Sequence, residues 1–190
     1  MFLFFDTETS DKPRNWKAPA ADLGNWPRLV QVGWVCCDAR GRPTATREYL
    51  IQPEGFTISR GATAVHGITT QRARKEGVTL GPVLVELAQV FAKAPVLVAH
   101  NIGFDQKVVT AEFLRAGLTP ALEKKTCRCT MKEATAYCRL PGQYGYKWPT
   151  LAELYETLFE ESLAEAHSAL ADAETCRKCF FQLRKLGAIE

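Results

Sequence analysis

The chain opens on an apolar run, Phe2-Leu3-Phe4-Phe5, followed at once by Asp6-Thr7-Glu8-Thr9. A run this apolar asks to be buried, and a short one flanked by polar residues reads as an interior strand of a sheet covered by helices. Side chains alternate along a strand, so Asp6 and Glu8 point to one face at its end. Two carboxylates beside a buried strand are costly unless paired or bound to a cation. Their oxygens suit a hard divalent ion such as Mg²⁺ or Mn²⁺.

Two further stretches add to this set. Val98-Ala99-His100-Asn101-Ile102-Gly103-Phe104-Asp105 places another carboxylate just after a second apolar run. His167-Ser168-Ala169-Leu170-Ala171-Asp172-Ala173-Glu174 supplies an imidazole and a carboxylate near the end of the chain. His100 is read as a structural support for the strand end.

The pattern between these motifs predicts a mixed α/β fold. Met1–Asp6 is a strand, and Ser10–Pro27, with three prolines, Trp16 and Trp26, is a long loop. Arg28–Cys37 and Ala45–Gln52 form an antiparallel hairpin around the turn Asp38-Ala39-Arg40-Gly41-Arg42-Pro43. Thr63–Glu76 gives one or two short helices broken near Gly67. Gly81–Lys93 shows helical spacing at Val83, Leu84, Leu87, Ala88 and Phe91. Pro95–Ala99 is a strand, Phe104–Ala116 a helix, Lys125–Cys127 a short strand with a helix to Tyr137 after it. Thr150–Phe159, capped by Thr150, and Ser168–Lys185 are the last helices. A hairpin followed by strand–helix alternation gives a mixed sheet flanked by helices on both faces. Neither repeats nor linkers divide the chain, so residues 1–190 are expected to form one domain.

Composition is that of a globular protein, with 46% hydrophobic and 24% charged residues. No segment reaches the ~18 apolar residues of a membrane span, and the N-terminus lacks the features of a signal peptide. The seven cysteines are odd in number and without a secretory leader, which argues against a disulfide framework and for reduced thiols in the cytoplasm. The net charge of +3 says little; its distribution says more. Leu151 to Thr175 holds seven acidic and no Lys or Arg residues, while Lys124 to Lys147 is basic. A basic segment beside a carboxylate cluster suits a phosphate chain approaching metals, although two solvated helix faces would give the same counts. Tyr144 and Tyr146 lie in the basic segment and Trp148 directly after it, placed either in the core or as surfaces for base stacking.

In these motifs the chain resembles DEDDh-type 3′–5′ exonucleases of the DnaQ-like superfamily, which have the ribonuclease H-like fold. Asp6 and Glu8 match the first motif of that family. Asp105 after Ala99-His100-Asn101 and Phe104 matches the second, and His167 with Asp172 the third. Ala64-Val65-His66-Gly67-Ile68 matches a pattern these enzymes carry near the terminal nucleotide. The resemblance runs through the chain in order. It departs after the first motif, where Ser10-Asp11-Lys12-Pro13 replaces a frequent glycine and the loop to Pro27 is long.

The resemblance implies a five-stranded mixed sheet and a metal-dependent exonuclease acting on 3′ ends. Two Mg²⁺ or Mn²⁺ ions, roughly 3.5–4 Å apart, serve such hydrolysis. Asp6 is expected to bridge them, Glu8 and Asp172 to complete one shell, and Asp105 to hold the second ion or its water. His167, with an ordinary pKa of about 6.5, is the expected general base. Thr7, Glu8, Thr9, Val65, His66, Asn101 and Phe104 are expected to hold substrate. The partner is single-stranded nucleic acid or a 3′ end, with DNA favoured over RNA. A polymerase partner is compatible with this reading, although no docking tail follows the last helix. Two alternatives stand beside it: an RNA-trimming or small-oligoribonucleotide exonuclease of the same superfamily, and a catalytically silent nucleic-acid-binding or polymerase accessory module.

Overall fold

The computed structural model describes residues 1–119, 122, 125–163 and 168–190. In chain order the elements are β1 (Phe2–Thr9), β2 (Leu29–Cys37), β3 (Pro43–Leu50), α1 (Arg60–His66), α2 (Thr70–Glu76), α3 (Leu80–Lys93), β4 (Val96–Ala99) and α4 (Ile102–Arg115). They continue with β5 (Thr126–Cys129), α5 (Thr130–Glu133), α6 (Thr135–Cys138), β6 (Pro141–Gly142), β7 (Gly145–Tyr146), α7 (Leu151–Phe159) and α8 (Ala169–Lys185). The main sheet has the order β3-β2-β1-β4-β5, with β1–β2 and β2–β3 antiparallel and β1–β4 and β4–β5 parallel. The expected five-stranded mixed sheet with helices on both faces is what forms.

β1 is the middle strand, and its alternation sorts the two cores. Leu3 and Phe5 join Trp34, Leu87, Phe91 and Val108 on the side of α3 and α4. Phe4, with Phe2 packed beside it, joins Val35, Val98, Ala173, Cys176 and Phe180 on the side of α8. Both faces of the strand are therefore dry, as its apolar run requires. The same alternation assigns the polar residues that follow. Asp6 and Glu8 continue the α8 face and Thr7 the α4 face.

α8 lies across β1 and β2, and Gly33 permits the approach. A Cβ at Gly33 would stand 2.2 Å from the backbone N of Leu170, and Gly33 is the register partner of Asp6. The start of α8 is held there by three side chains. Ser168 Oγ accepts from Ala171 N–H (3.2 Å), Gln31 Oε1 from Ala169 N–H (3.1 Å), and Glu48 Oε1 from Leu170 N–H (3.1 Å).

Several boundaries differ from the sequence reading. β1 runs on through Thr9, so both acidic residues lie within the strand and not beyond it. α1 starts at Arg60 because Ser59 caps it, accepting from Ala62 N–H. The helix expected after β5 divides into α5 and α6 about Ala134. A small hairpin of β6 and β7 is an element the sequence reading did not contain.

Candidate active site

Asp6, Glu8 and Asp172 each offer a carboxylate oxygen to one group, with all three atoms within 4.8 Å of one another. Strand alternation puts the first two on the α8 face, and the close seat of α8 on Gly33 brings Asp172, one turn into that helix, over them. Asp105 comes from the other side. It sits in the first turn of α4, buried, and its Oδ1 accepts from the N–H (3.1 Å) and the hydroxyl (2.7 Å) of Thr7. Four carboxylates from β1, α4 and α8 thus surround one end of the central strand.

Their ionisation shows what the arrangement costs. Burial first, then the charges of Asp105, Glu8 and Asp172, hold Asp6 well above the usual carboxylate range. Glu8 is pushed up to about 8 by burial and by the charges of Asp172 and Asp105. Asp105 is raised to about 7, with burial outweighing the lowering effect of the Thr7 hydroxyl. Like charges crowded in a partly dry site either keep protons or share a cation. A set made wholly of carboxylate oxygens fits Mg²⁺ or Mn²⁺, and does not resemble the thiolate and imidazole sets that select zinc at structural sites.

A cavity of about 400 Å³ opens beside the cluster, lined by Thr7, Glu8, Thr9, Asp11, Lys12, Trp16, Gly61, Ala62, Val65, His66 and Phe104. Glu8 therefore belongs both to the acidic group and to the cavity wall. Six of the seven residues expected to hold substrate line this space. Asn101 is the exception: it precedes α4 in the left-handed region (φ 69°) and is absent from the lining. It forms a backbone corner there, a conformation asparagine tolerates better than most side chains. His66 is a brace as well as a wall. Its Nδ1 accepts from Ile68 N–H (3.1 Å), which leaves the proton on Nε2 for the Thr9 carbonyl (3.2 Å). Val65 beside it is exposed.

Asp11, Lys12 and Trp16 were not foreseen in the wall. The signal for Trp16 was an aromatic residue in a proline-rich loop directly after the first motif. Its ring packs 5.5 Å from that of Phe104, and Lys107 Nζ donates to its carbonyl. The loop is pinned from behind by Arg115, which donates to the carbonyls of Leu23 and Trp26 (2.7 Å each) while paired with buried Glu112. His100 is structural, as expected. Its Nε2 donates to the Pro149 carbonyl and its Nδ1 accepts the Thr130 hydroxyl, both at 3.0 Å. Burial lowers its pKa to about 4, so it is neutral. His167 lies outside the described residues.

Residues 3–180 match the family model described as RNase_T, exonuclease. The chain belongs to this exonuclease family. Among solved structures it is similar to Exonuclease I of E. coli in complex with a dT13 oligonucleotide, at 20% identity and a TM-score of 0.76. That match covers 96% of this chain and 40% of the other. The zinc-bound form of the E. coli ExoI–ssDNA complex gives 20% identity, a TM-score of 0.76, and coverage of 97% and 40%. A product-bound structure of Exonuclease I gives 19%, a TM-score of 0.72, and coverage of 97% and 43%. This exonuclease thus spans about two fifths of the length of those chains and shares their fold. Comparison with curated proteins gives no significant match. The resemblance to DEDDh-type, DnaQ-like exonucleases drawn from the motifs is borne out. No helix among the described residues is long and apolar enough to cross a membrane.

Proposed function

We propose that this exonuclease removes nucleotides one at a time from a free 3′-hydroxyl end, DNA in preference to RNA, and releases nucleoside 5′-monophosphates. The observation that carries this reading is the position of Glu8. One side chain joins the Asp6–Asp172 acidic group and also lines a cavity whose volume lies in the ~300–1,000 Å³ range of small-ligand sites. Cleavage next to such a cavity yields the single unit the cavity holds.

Asp6, Glu8 and Asp172 would hold divalent metal, with Asp105 contributing from α4. When bound, a pair of Mg²⁺ or Mn²⁺ ions supplies charge stabilisation at the phosphate and lowers the pKa of water. The chain's own residues do the rest. Glu8 and the Thr7 backbone receive the terminal 3′-hydroxyl, while Val65, His66, Phe104 and Trp16 flank the base. A base enclosed this way has left its pairing partner, so single strands and frayed ends are the substrates. A water oxygen attacks phosphorus and its proton passes to His167. The bond from phosphorus to the 3′-oxygen of the preceding nucleotide breaks, and that oxygen takes a proton from solvent, leaving a new 3′-hydroxyl. The seven free thiols suit a reducing compartment, so the proposal includes the cytoplasm.

Digestion of end-labelled DNA and RNA strands bearing a 3′-hydroxyl, a 3′-phosphate or a closed circle tests this. The expected result is stepwise loss of mononucleotides from the free end, slow attack on the phosphorylated end, and survival of the circle. A site that hydrogen-bonds a hydroxyl rejects ends that lack it. Cleaved circles would show an endonuclease. Faster shortening of RNA would move the substrate to the oligoribonucleotide class, and binding without hydrolysis would show a silent module.

A further inference from the structure

The β6–β7 hairpin and the residues after it have no part in the site described so far, yet they are built with care. Tyr144, Tyr146 and Trp148 are 93%, 56% and 59% exposed. Three large rings at alternate positions, all open to solvent, are unusual on a protein surface. They rule out the core placement that the sequence left open. Two glycines make the turn that presents them. Gly145 adopts φ +120°, and a Cβ at Gly142 would stand 3.0 Å from the Gly145 carbonyl. Lys147 N–H donates to the Leu140 carbonyl (2.9 Å) and continues the pairing, so the rings stand on a tied ribbon.

The surroundings are cationic. Residues 125–150 contain Lys125, Arg128, Lys132, Arg139 and Lys147 against the single acid Glu133; Arg128 is paired with Glu133, and Lys147 with Glu153 of α7. Lys132 Nζ lies 5.9 Å from the centre of the Trp148 ring. The ribbon is also tied to the sheet end that carries the carboxylates. Pro149, next to Trp148, receives the hydrogen bond from His100. β1 and β4 are parallel with Phe4 beside Val98, so His100 follows Val98 as Asp6 follows Phe4. The cavity is lined by β1, the loop after it, α1 and Phe104 of α4, whereas the ribbon is tied to the end of β4 through Pro149 and His100.

We propose that Tyr144, Tyr146 and Trp148 form a stacking platform for the single strand on the 5′ side of the bond being cut, with Lys132 and Arg139 facing its phosphates. The occupant follows from the chemistry: unpaired bases offer faces to flat rings whatever their sequence, and the backbone supplies the anion for these cations. This rests on the exonuclease reading for its direction, but binding of a strand to the platform can be measured without hydrolysis.

The experiment compares the full chain with Y144A/Y146A and W148A variants, and with W148F. The first readout is the ratio of kcat/KM for a labelled 20-nucleotide single-stranded DNA to that for a dinucleotide, which does not reach the platform. The ratio should fall at least tenfold in the alanine variants and stay close to wild type in W148F. The second is fluorescence anisotropy of the same 20-mer, without hydrolysis, on proteins that also carry D6N. Affinity should fall in parallel, and the wild-type platform should show the steeper dependence on salt. An unchanged ratio and unchanged affinity would overturn the proposal. So would equal losses on both substrates, which would mean damage to the fold, or a concentration-dependent dimer lost in the variants, which would make the face a self-association surface. If no substrate is cut but affinity still depends on the rings, the exonuclease reading fails and the platform stands.

Discussion

Thr7, between the two acidic residues of β1, gives both its N–H and its hydroxyl to Asp105. The strand's odd face thus fixes the carboxylate from α4 while its even face carries Asp6 and Glu8. Thr7→Val keeps the shape and the backbone bond but deletes the hydroxyl. A hydrogen bond to a charged group contributes roughly 1.5–3 kcal/mol, so kcat should fall about tenfold or more with little change in KM. The hydroxyl lowers the Asp105 pKa in the metal-free protein, so metal affinity in Thr7→Val should need a higher pH to reach its full value. Steady-state kinetics and metal titrations of the two proteins check both.

The raised carboxyls make a statement about stability. Glu8 rises from 4.5 to about 8 and Asp105 from 3.8 to about 7. The folded metal-free protein therefore keeps protons that the unfolded chain releases above pH ~4. Stability from these groups is full below pH ~4 and is lost as pH climbs towards 8. Thermal melts of metal-free protein should show a falling Tm across this window, and Mg²⁺ or Mn²⁺ should restore more at pH 8 than at pH 5.5. Calorimetry in buffers of different ionisation enthalpy should show protons released on metal binding.

Asp6→Asn and Asp172→Asn should separate activity from stability. Each removes one of the crowded charges while keeping side-chain volume. Turnover should fall below a tenth of wild type, a loss of at least about 1.4 kcal/mol in transition-state stabilisation. The metal-free Tm at pH 8 should rise. A variant with more than a tenth of the wild-type rate would remove that residue from the metal set.

His167→Ala tests the general base. Hydrolysis should slow strongly and the rising pH limb should flatten, while metal affinity measured by titration holds. An unaltered profile would take His167 out of the mechanism.

Gly33→Ala tests the seat of α8. The new methyl would lie 2.2 Å from the Leu170 backbone, which neither strand nor helix can yield without moving. Overpacking of this kind costs roughly 1–3 kcal/mol. Denaturant melts should show that loss, together with a lower metal affinity, because Asp172 shifts with its helix.

Much of this was legible before any coordinates. The alternation of Phe4, Asp6 and Glu8 gave the shared face, and the apolar runs at Phe2–Phe5 and Pro95–Ala99 gave the inner strands. Spacing cannot show approach, however. Nothing in the sequence marks Gly33 as the point where a helix 137 positions later (at Leu170) must touch the strand backbone. Nor can spacing show that Thr7 serves the odd face, or that Asn101 adopts a left-handed backbone at the start of α4. The β6–β7 hairpin was missed because its strands, two residues each, are shorter than any periodicity can register.

The docking of α8 on Gly33 also makes the acidic group a product of tertiary closure. Asp6 and Glu8 share β1, whereas Asp172 arrives on α8. A chain in which β1 has paired with β2 but α8 has not docked holds only two of these three carboxylates together. The group is assembled by the closing of the helix on the sheet, so the step that completes the core also completes the acidic cluster.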